Sequence, residues 1–158
     1  MLVVQGVVVV VVGALAVLGG GGQLPRAVFE HFIACAGGKE ARILFAPTAS
    51  PRIVNEQKNR TMAMFTQLGA KEVMLLAARH PSEVSDSHIA MINRATGVWF
   101  GGGRQWRTVD AFDGTPIIPA LHRVLDRGGV IGGSSAGASI QGEFLVRGNP
   151  MRRIQAAD

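Results

Sequence analysis

Short apolar runs alternate along the chain with segments whose apolar residues recur at helical spacing. The runs predict strands that end near Leu18 and that span 42–46, 72–76, 98–100 and 130–132. Between them, helices are predicted before Gly37, before Gly69, around Ile92, over 106–112, over 116–127 and from 135 onward. This alternation is typical of βαβ units, so we predict an α/β fold whose parallel sheet is covered by helices on both faces.

Each predicted helix has an apolar face that we expect to pack on the sheet. The inward residues are predicted to be Val28, Phe29, Phe32, Ile33, Ala36, Met62, Phe65, Leu68, Ile89, Ile92, Ala95, Ile118, Leu121 and Leu125. In such sheets ligands bind at the carboxyl ends of the strands. That edge is expected to gather 19–22, the Pro-Thr-Ala-Ser loop at 47–50, His80, 101–105 and Ser135.

The first charged residue is Arg26, and the apolar opening raises the question of a signal peptide or membrane span. No Lys or Arg precedes the run, and its many Val residues favour a strand. We therefore predict an apolar leader or strand extension over 1–12 and a single domain over 13–158, with no stable membrane span. The sequence does not determine the cellular compartment. A cytoplasmic location is favoured, and the protein is exported if residues 1–18 are a signal remnant.

The composition argues against a disordered chain, a nucleic-acid-binding protein and a metal site. The 158 residues suit one domain, and 47% hydrophobic against 17% charged residues is too apolar for disorder. The formal charge of +5 is scattered and carries no nucleic-acid signature, so no nucleic-acid partner is expected. Cys35 is the single cysteine and is predicted to be a small core residue. Four dispersed histidines lack metal-ligand spacing, so no metal site is predicted.

The strongest chemical signal is Gly133-Ser134-Ser135-Ala136-Gly137, which matches the nucleophile elbow G-x-S-x-G between an apolar strand and a helix. Such a turn is strained and needs small residues on either side of the nucleophile. Ser135 is the candidate nucleophile, and the N–H of Ala136 is a candidate oxyanion donor. The alternative is a glycine- and serine-rich turn without chemistry.

A second glycine cluster, Gly101-Gly102-Gly103-Arg104-Gln105, follows the neighbouring strand and could supply another oxyanion N–H, or could be a plain strand-to-helix connection. Neither cluster has dinucleotide spacing, because Pro25 and Trp106 stand at the third glycine position. No P-loop sequence occurs. The base that Ser135 needs is not evident: His31, His88 and His122 fall in predicted helices, and only His80 falls at the expected edge.

Several motifs in order resemble the cyanophycinase and aspartyl dipeptidase group, peptidase family S51, from about Gly13 to Asn149. They are GALAVLGGGGQLP, ILFAPTAS, VWFGGGRQWR, GTP and RGGVIGGSSAGASIQGEFLVRG. The resemblance implies a flavodoxin-like or class I glutamine-amidotransferase-like three-layer sandwich and a serine peptidase for aspartyl or β-aspartyl (Asp-Arg) peptides, without a cofactor. It implies Ser135 as nucleophile, Ala136, Gly102 and Gly103 around the oxyanion, and Gln105 and Arg104 in the substrate pocket.

Two departures from the family pattern affect the expected activity. Arg104 stands where Asp or Asn is expected, which bears on substrate preference. The family also continues into a segment resembling Asp-Gln-His-Phe that carries the base histidine, whereas residues 151–158 here no longer resemble it. We therefore expect a C-terminally truncated chain with impaired catalysis, which self-associates as a homodimer or aggregate. The alternative function is an inactive homologue that acts as a binding domain.

Overall fold

A computed structural model describes residues 2–4, 7–12, 15–18, 24–51, 59–142 and 145. The strands of the described chain are β1 (Leu2–Val4), β2 (Val7–Val12), β3 (Leu15–Leu18), β4 (Arg42–Ala46), β5 (Glu72–Leu75), β6 (Gly97–Phe100) and β7 (Val130–Ser134). The α-helices are α1 (Arg26–Cys35), α2 (Arg60–Gln67), α3 (Asp86–Arg94), α4 (Gln105–Phe112), α5 (Ile117–Asp126) and α6 (Ala136–Ser139). The predicted strands and helices are therefore present, with ends that shift by a residue or two.

One sheet joins the described strands in the order β1-β2-β3-β7-β6-β4-β5. The five strands from β3 to β5 run parallel, which confirms the predicted sheet. β7 lies between β3 and β6, so Leu18 pairs with Ser134 and Phe100 pairs with Gly133. The carboxyl ends of β6 and β7 are therefore neighbours, and the residues that follow them meet at one edge.

The valine-rich opening forms strands in the described residues. β1 pairs antiparallel with β2, and β2 pairs antiparallel with β3, so β1 and β2 extend the sheet beyond the parallel strands. The division into a leader over 1–12 and a domain over 13–158 stays a prediction. In the described ranges, no helix has both the length and the apolar character that crossing a membrane requires.

Two hydrophobic cores lie on opposite faces of the sheet, which gives the predicted three-layer arrangement. One core packs α1 and α2 through Phe29, Phe32 and Phe65 against Trp99 of β6. The Phe32 ring meets the Trp99 ring edge-on at 5.0 Å between centroids. The other core packs α3, α4 and α5 against the opposite sides of β4, β6 and β7. Because both faces are covered, the strands can be apolar throughout.

The predicted inward position of Ile118 is wrong. In α5 the buried face is Ile117, Ala120, Leu121 and Val124, whereas Ile118 is 39% exposed. Successive helical residues are about 100° apart, so only one of two adjacent isoleucines can face the sheet. Ile118 instead lines an apolar cavity of about 520 Å³ between α4, α5 and the residues after α6.

Cys35 is exposed, which contradicts its predicted place in the core. The residue lies in the last turn of α1, one position before the buried Ala36. Its Sγ lies 3.7 Å from His31 Nε2 on the outer face of the same helix. The apolar stripe of α1 is therefore complete without the cysteine.

Candidate active site

Ser135 occupies a strained turn between β7 and α6. Its backbone has φ 54° and ψ −118°, and it is the one non-glycine residue with positive φ in the described ranges. Its carbonyl accepts hydrogen bonds from the N–H groups of Ala138 and Ser139, each at 3.0 Å, so the helix begins at the turn. A non-glycine residue in such a conformation typically costs about 1–3 kcal/mol and persists because its surroundings impose it. The side chain is exposed at the carboxyl edge of the sheet.

The glycines on either side of the turn pack directly against the backbone of β6. A Cβ added to Gly137 would lie 2.2 Å from the carbonyl oxygen of Phe100. A Cβ added to Gly133 would lie 2.6 Å from the Gly137 carbonyl oxygen and 2.8 Å from that of Phe100. All three distances are well below van der Waals contact, so any side chain at either position would displace main chain. The spacing of the motif is therefore explained by this close approach.

The second glycine cluster lies beside the elbow. A Cβ built on Gly102 would be 3.6 Å from Cβ of Ser135 and 3.7 Å from the Ser134 carbonyl oxygen. Gly103 has φ 142°, and a Cβ there would lie 2.2 Å from the carbonyl oxygen of Ala49. The backbone of 102–103 thus runs between the elbow and the loop after β4. No side chain on these glycines screens Ser135 from solvent.

The other candidate residues surround this point. Ala136 is buried at the start of α6, directly after Ser135. Arg104 is exposed and Gln105 half-buried at the start of α4. The described α6 is a single turn of four residues, so its dipole is small. Any stabilisation of negative charge at Ser135 therefore depends on individual N–H groups.

The loop 47–50 is held in place by side chains that sequence reasoning missed. The Ala49 carbonyl accepts from the Arg104 N–H at 2.9 Å and from Arg107 Nη1 at 3.3 Å. On the other side, Arg79 Nη2 donates to the Ser50 carbonyl, and Thr48 Oγ1 donates to the Ala78 carbonyl at 3.1 Å. Nothing in the sequence pattern marks Arg79 and Arg107, because the partners of their side chains are main-chain carbonyls of a distant loop.

The expected gathering of loops at the carboxyl edge is confirmed for the described residues. The loops after β5, β4 and β6 contact one another in the order of the strands, and the last of them reaches Ser135. The glycines 19–22 lie outside the described residues. Within the described ranges, no group of three His, Cys, Asp or Glu residues is arranged to hold a metal ion.

None of the histidines in the described ranges forms a hydrogen bond with Ser135. His80 follows β5, three strands from β7, which is about 14 Å across the sheet. Its Nδ1 lies 2.9 Å from Ser82 Oγ, and it caps a 3-10 turn at Pro81–Glu83. His88 caps α3 through the Ser85 N–H, and His122 lines the apolar cavity. His80 is therefore at the predicted edge but is engaged elsewhere.

Glu40 and Arg127 have shifted pKa values, and both residues lie away from this edge. The ion pair with Lys71 holds the pKa of Glu40 below its ordinary value. Burial, and then the charge of Arg123, lower the pKa of Arg127. The Arg127 guanidinium donates to the Ile92 and Ala95 carbonyls at 2.7 and 2.6 Å, which fastens the end of α3 at the amino edge of the sheet.

Known proteins resemble the chain over most of its length. The model of Peptidase family S51 matches residues 15–157. That match extends beyond Asn149, at which the motif resemblance was expected to end. A cyanophycinase of Geminocystis herdmanii (strain PCC 6308) is 29% identical over 127 residues, which is 78% of this chain and 46% of that protein. A cyanophycinase of Synechococcus elongatus is 32% identical over 123 residues, or 77% and 38%.

Solved structures share the fold. A peptidase from an acI-B1 Actinobacterium superposes with a TM-score of 0.66 at 23% identity, covering 81% of this chain and 56% of that one. A putative peptidase E protein from Listeria monocytogenes EGD-e gives 0.58 at 20% identity, covering 73% and 57%. The chain spans less than half the length of the curated relatives it matches. With a family match over nearly all of its own residues, the chain belongs to peptidase family S51.

Proposed function

We propose that the chain carries the nucleophile half of a serine peptidase site, with Ser135 as the attacking residue. The main support is the backbone conformation of Ser135. This residue directly follows a central strand, and it is the one non-glycine residue in the described ranges that has positive φ. The Ser135 Oγ attacks the carbonyl carbon of the scissile bond and gives its proton to a base. The carbonyl oxygen then becomes an oxyanion, and the amine leaves with a proton.

The oxyanion is proposed to be held by main-chain donors. The Ala136 N–H follows the nucleophile directly, and the 102–103 backbone lies beside it, since a Cβ built on Gly102 would be 3.6 Å from the Ser135 Cβ. Donors fixed in this way stabilise the charge that develops after attack without having to reorganise. No cofactor takes part in this proposal.

For the substrate we propose a peptide that contains an aspartyl or β-aspartyl (Asp-Arg) residue. The exposed Arg104 and the half-buried Gln105 lie directly after the oxyanion glycines, where they can contact a bound peptide. A guanidinium at this position favours a carboxylate-bearing substrate. Two of the relatives are cyanophycinases by name, which is compatible with this class.

A second candidate is a binding domain that keeps the pocket without turnover. It is favoured by one observation: no histidine in the described ranges hydrogen-bonds to Ser135. The two candidates differ in whether Ser135 can be acylated, and they agree on the peptide ligand.

Site-resolved acetylation tests the proposal without requiring a protein base. The purified chain is treated with p-nitrophenyl acetate at pH 9, and the acetyl group on each serine is quantified by peptide mass spectrometry. The proposed oxyanion donors predict that Ser135 reacts at least tenfold faster than Ser134 or Ser139, its matched neighbours. Equal rates at the three serines would leave only the binding-domain candidate.

Protection by peptides tests the substrate class in the same assay. An aspartyl peptide should slow acetylation of Ser135, whereas the matched asparaginyl peptide should not. Arg104→Gln should abolish the difference between the two peptides, because it removes the charge that recognises the carboxylate. Equal protection by both peptides would contradict aspartate specificity.

A further inference from the structure

We propose that Arg107 is a positioning residue of this site: its guanidinium fastens the loop 47–50 to the first turn of α4 and thereby fixes the 102–103 backbone beside Ser135. The inference rests on the proposed function, in which that backbone supplies an oxyanion donor. The side-chain hydrogen bond of Arg107 goes to the loop, not to Ser135. It acts through the Ala49 carbonyl.

The Ala49 carbonyl is the point at which the loops meet. Its oxygen accepts two hydrogen bonds, one from the Arg104 N–H at 2.9 Å and one from Arg107 Nη1 at 3.3 Å. A carbonyl oxygen has two lone pairs, so these donors use both. The same oxygen would be 2.2 Å from a Cβ on Gly103, so the glycine rests directly on it. The position of Ala49 therefore limits the position of Gly103.

The contact continues from Gly103 to the nucleophile. Gly102 precedes Gly103, and a Cβ built on Gly102 would be 3.6 Å from the Ser135 Cβ. We therefore expect a shift of the Ala49 carbonyl to move the 102–103 backbone next to Ser135. Misplacement of about 1 Å at a reacting group can cost on the order of 100-fold in rate, so the position of this carbonyl has consequences for chemistry.

Arg107 is suited to this task by its own surroundings. The residue is half-buried, and its guanidinium lies 5.2 Å from the centre of the Trp106 ring. Its planar group keeps a donor in a fixed direction, which a flexible ammonium does less well. On the far side of the loop, Arg79 and Thr48 hold the loop to the residues after β5. Of these side chains, Arg107 ties the loop to the helix that follows the oxyanion glycines.

The test compares Arg107→Met and Arg107→Lys with Arg127→Met. The control also removes an arginine that donates to main-chain carbonyls, but at the amino edge of the sheet. Acetylation by p-nitrophenyl acetate at pH 9 forms the Oγ–acetyl bond, breaks the ester bond to p-nitrophenolate, and delivers the serine proton to hydroxide. We expect Arg107→Met to lower the maximal acetylation rate of Ser135 about tenfold, less than the 10²–10³ of losing a donor outright.

Further comparisons distinguish a positioning role of Arg107 from an effect of its charge. The half-saturating ester concentration should change less than twofold, and Arg107→Lys should recover part of the rate. The loss should be the same at 0.05 M and 0.5 M NaCl, since a charge effect would be screened. Arg127→Met should leave the rate within twofold of wild type. A salt-dependent loss, or an equal loss in Arg127→Met, would overturn the inference.

Hydrogen exchange separates this inference from the proposed function. In Arg107→Met, amide exchange of 47–50 and of 101–104 should rise together at least fivefold, while exchange in β4 and β6 stays unchanged. This readout needs no reactivity at Ser135. If Ser135 proves no faster than Ser139, the proposed function fails, and the exchange result alone decides whether Arg107 holds the loop. Unchanged exchange in 101–104 would overturn the inference whatever the serine does.

Discussion

The close packing of the elbow predicts how strongly a side chain at Gly137 would destabilise the domain. A Cβ there would lie 2.2 Å from the Phe100 carbonyl oxygen, about 1 Å short of an ordinary carbon–oxygen contact of about 3.3 Å. The atom it meets belongs to the main chain of β6, so no side-chain rotation relieves the clash. Gly137 is not among the glycines with positive φ, so the clash is the dominant cost.

From these contacts we expect Gly137→Ala to destabilise the domain by about 3 kcal/mol, the upper end of the range for overpacking. For a domain of this size that corresponds to a fall in Tm of about 6–12 °C. Gly137→Val and Gly133→Val add two more carbons and should strongly destabilise the domain or prevent soluble expression. The total stability of typical domains is only about 5–15 kcal/mol.

Thermal unfolding followed by circular dichroism measures the effect, with Gly69→Ala as the matched control. Gly69 has φ 84° and nothing within 4 Å of a built Cβ, so alanine there costs only its left-handed backbone. That cost is about 1 kcal/mol, or about 2–4 °C. A Tm for Gly137→Ala within 2 °C of wild type would refute the close approach and, with it, the elbow.

Further predictions concern the nucleophile, the surface and acid stability. Ser135→Ala should keep the Tm within about 2 °C but lower the kcat of any active peptidase that contains this chain by several orders of magnitude, as removal of a triad member does; unchanged turnover would exclude Ser135. Ile118→Lys should shift the chain toward monomer in light scattering, because Ile118 is 39% exposed beside the apolar cavity; an unchanged mass would place self-association elsewhere. Because Lys71 lowers the pKa of Glu40, their pair stabilises the fold above the ordinary pKa of a glutamate and stops doing so as pH falls through the lowered value. Glu40→Gln should therefore lower Tm slightly at pH 7 in low salt and not at pH 2; an equal effect at both pH values would contradict this.

The sequence predicted the sheet well because its strands are short apolar runs with turn residues on both sides. The strand at 42–46 has the same ends in the structure as in the prediction. The proximity of the two glycine clusters followed from their places after adjacent parallel strands, and Gly102 does lie beside Ser135. Such features depend on local pattern and on rules of topology, both of which a sequence contains.

Other features depend on distances that a sequence does not contain. The rotation of α5 placed Ile117 inward and Ile118 outward, although both residues have the same hydrophobicity. The hydrogen bonds of Arg79 and Arg107 end on carbonyls of a loop formed by a different part of the chain. His80 reached the expected edge, but its imidazole caps its own turn. Whether a residue at the right edge takes part in chemistry is decided by such local partners.

The reactivity of Ser135 toward a fluorophosphonate, with and without added imidazole, tests the central claim most directly. The structure places no described histidine beside Ser135, so we predict no appreciable labelling of the purified monomer and only weak or absent hydrolysis of β-aspartyl-arginine peptides. Free imidazole can act as the base, and labelling should then rise with the imidazole concentration at Ser135 alone and be absent in Ser135→Ala. Rapid labelling without imidazole would contradict the account and make His80→Ala the next variant. Imidazole-dependent labelling spread equally over Ser134, Ser135 and Ser139 would contradict the claim that Ser135 is a nucleophile at all.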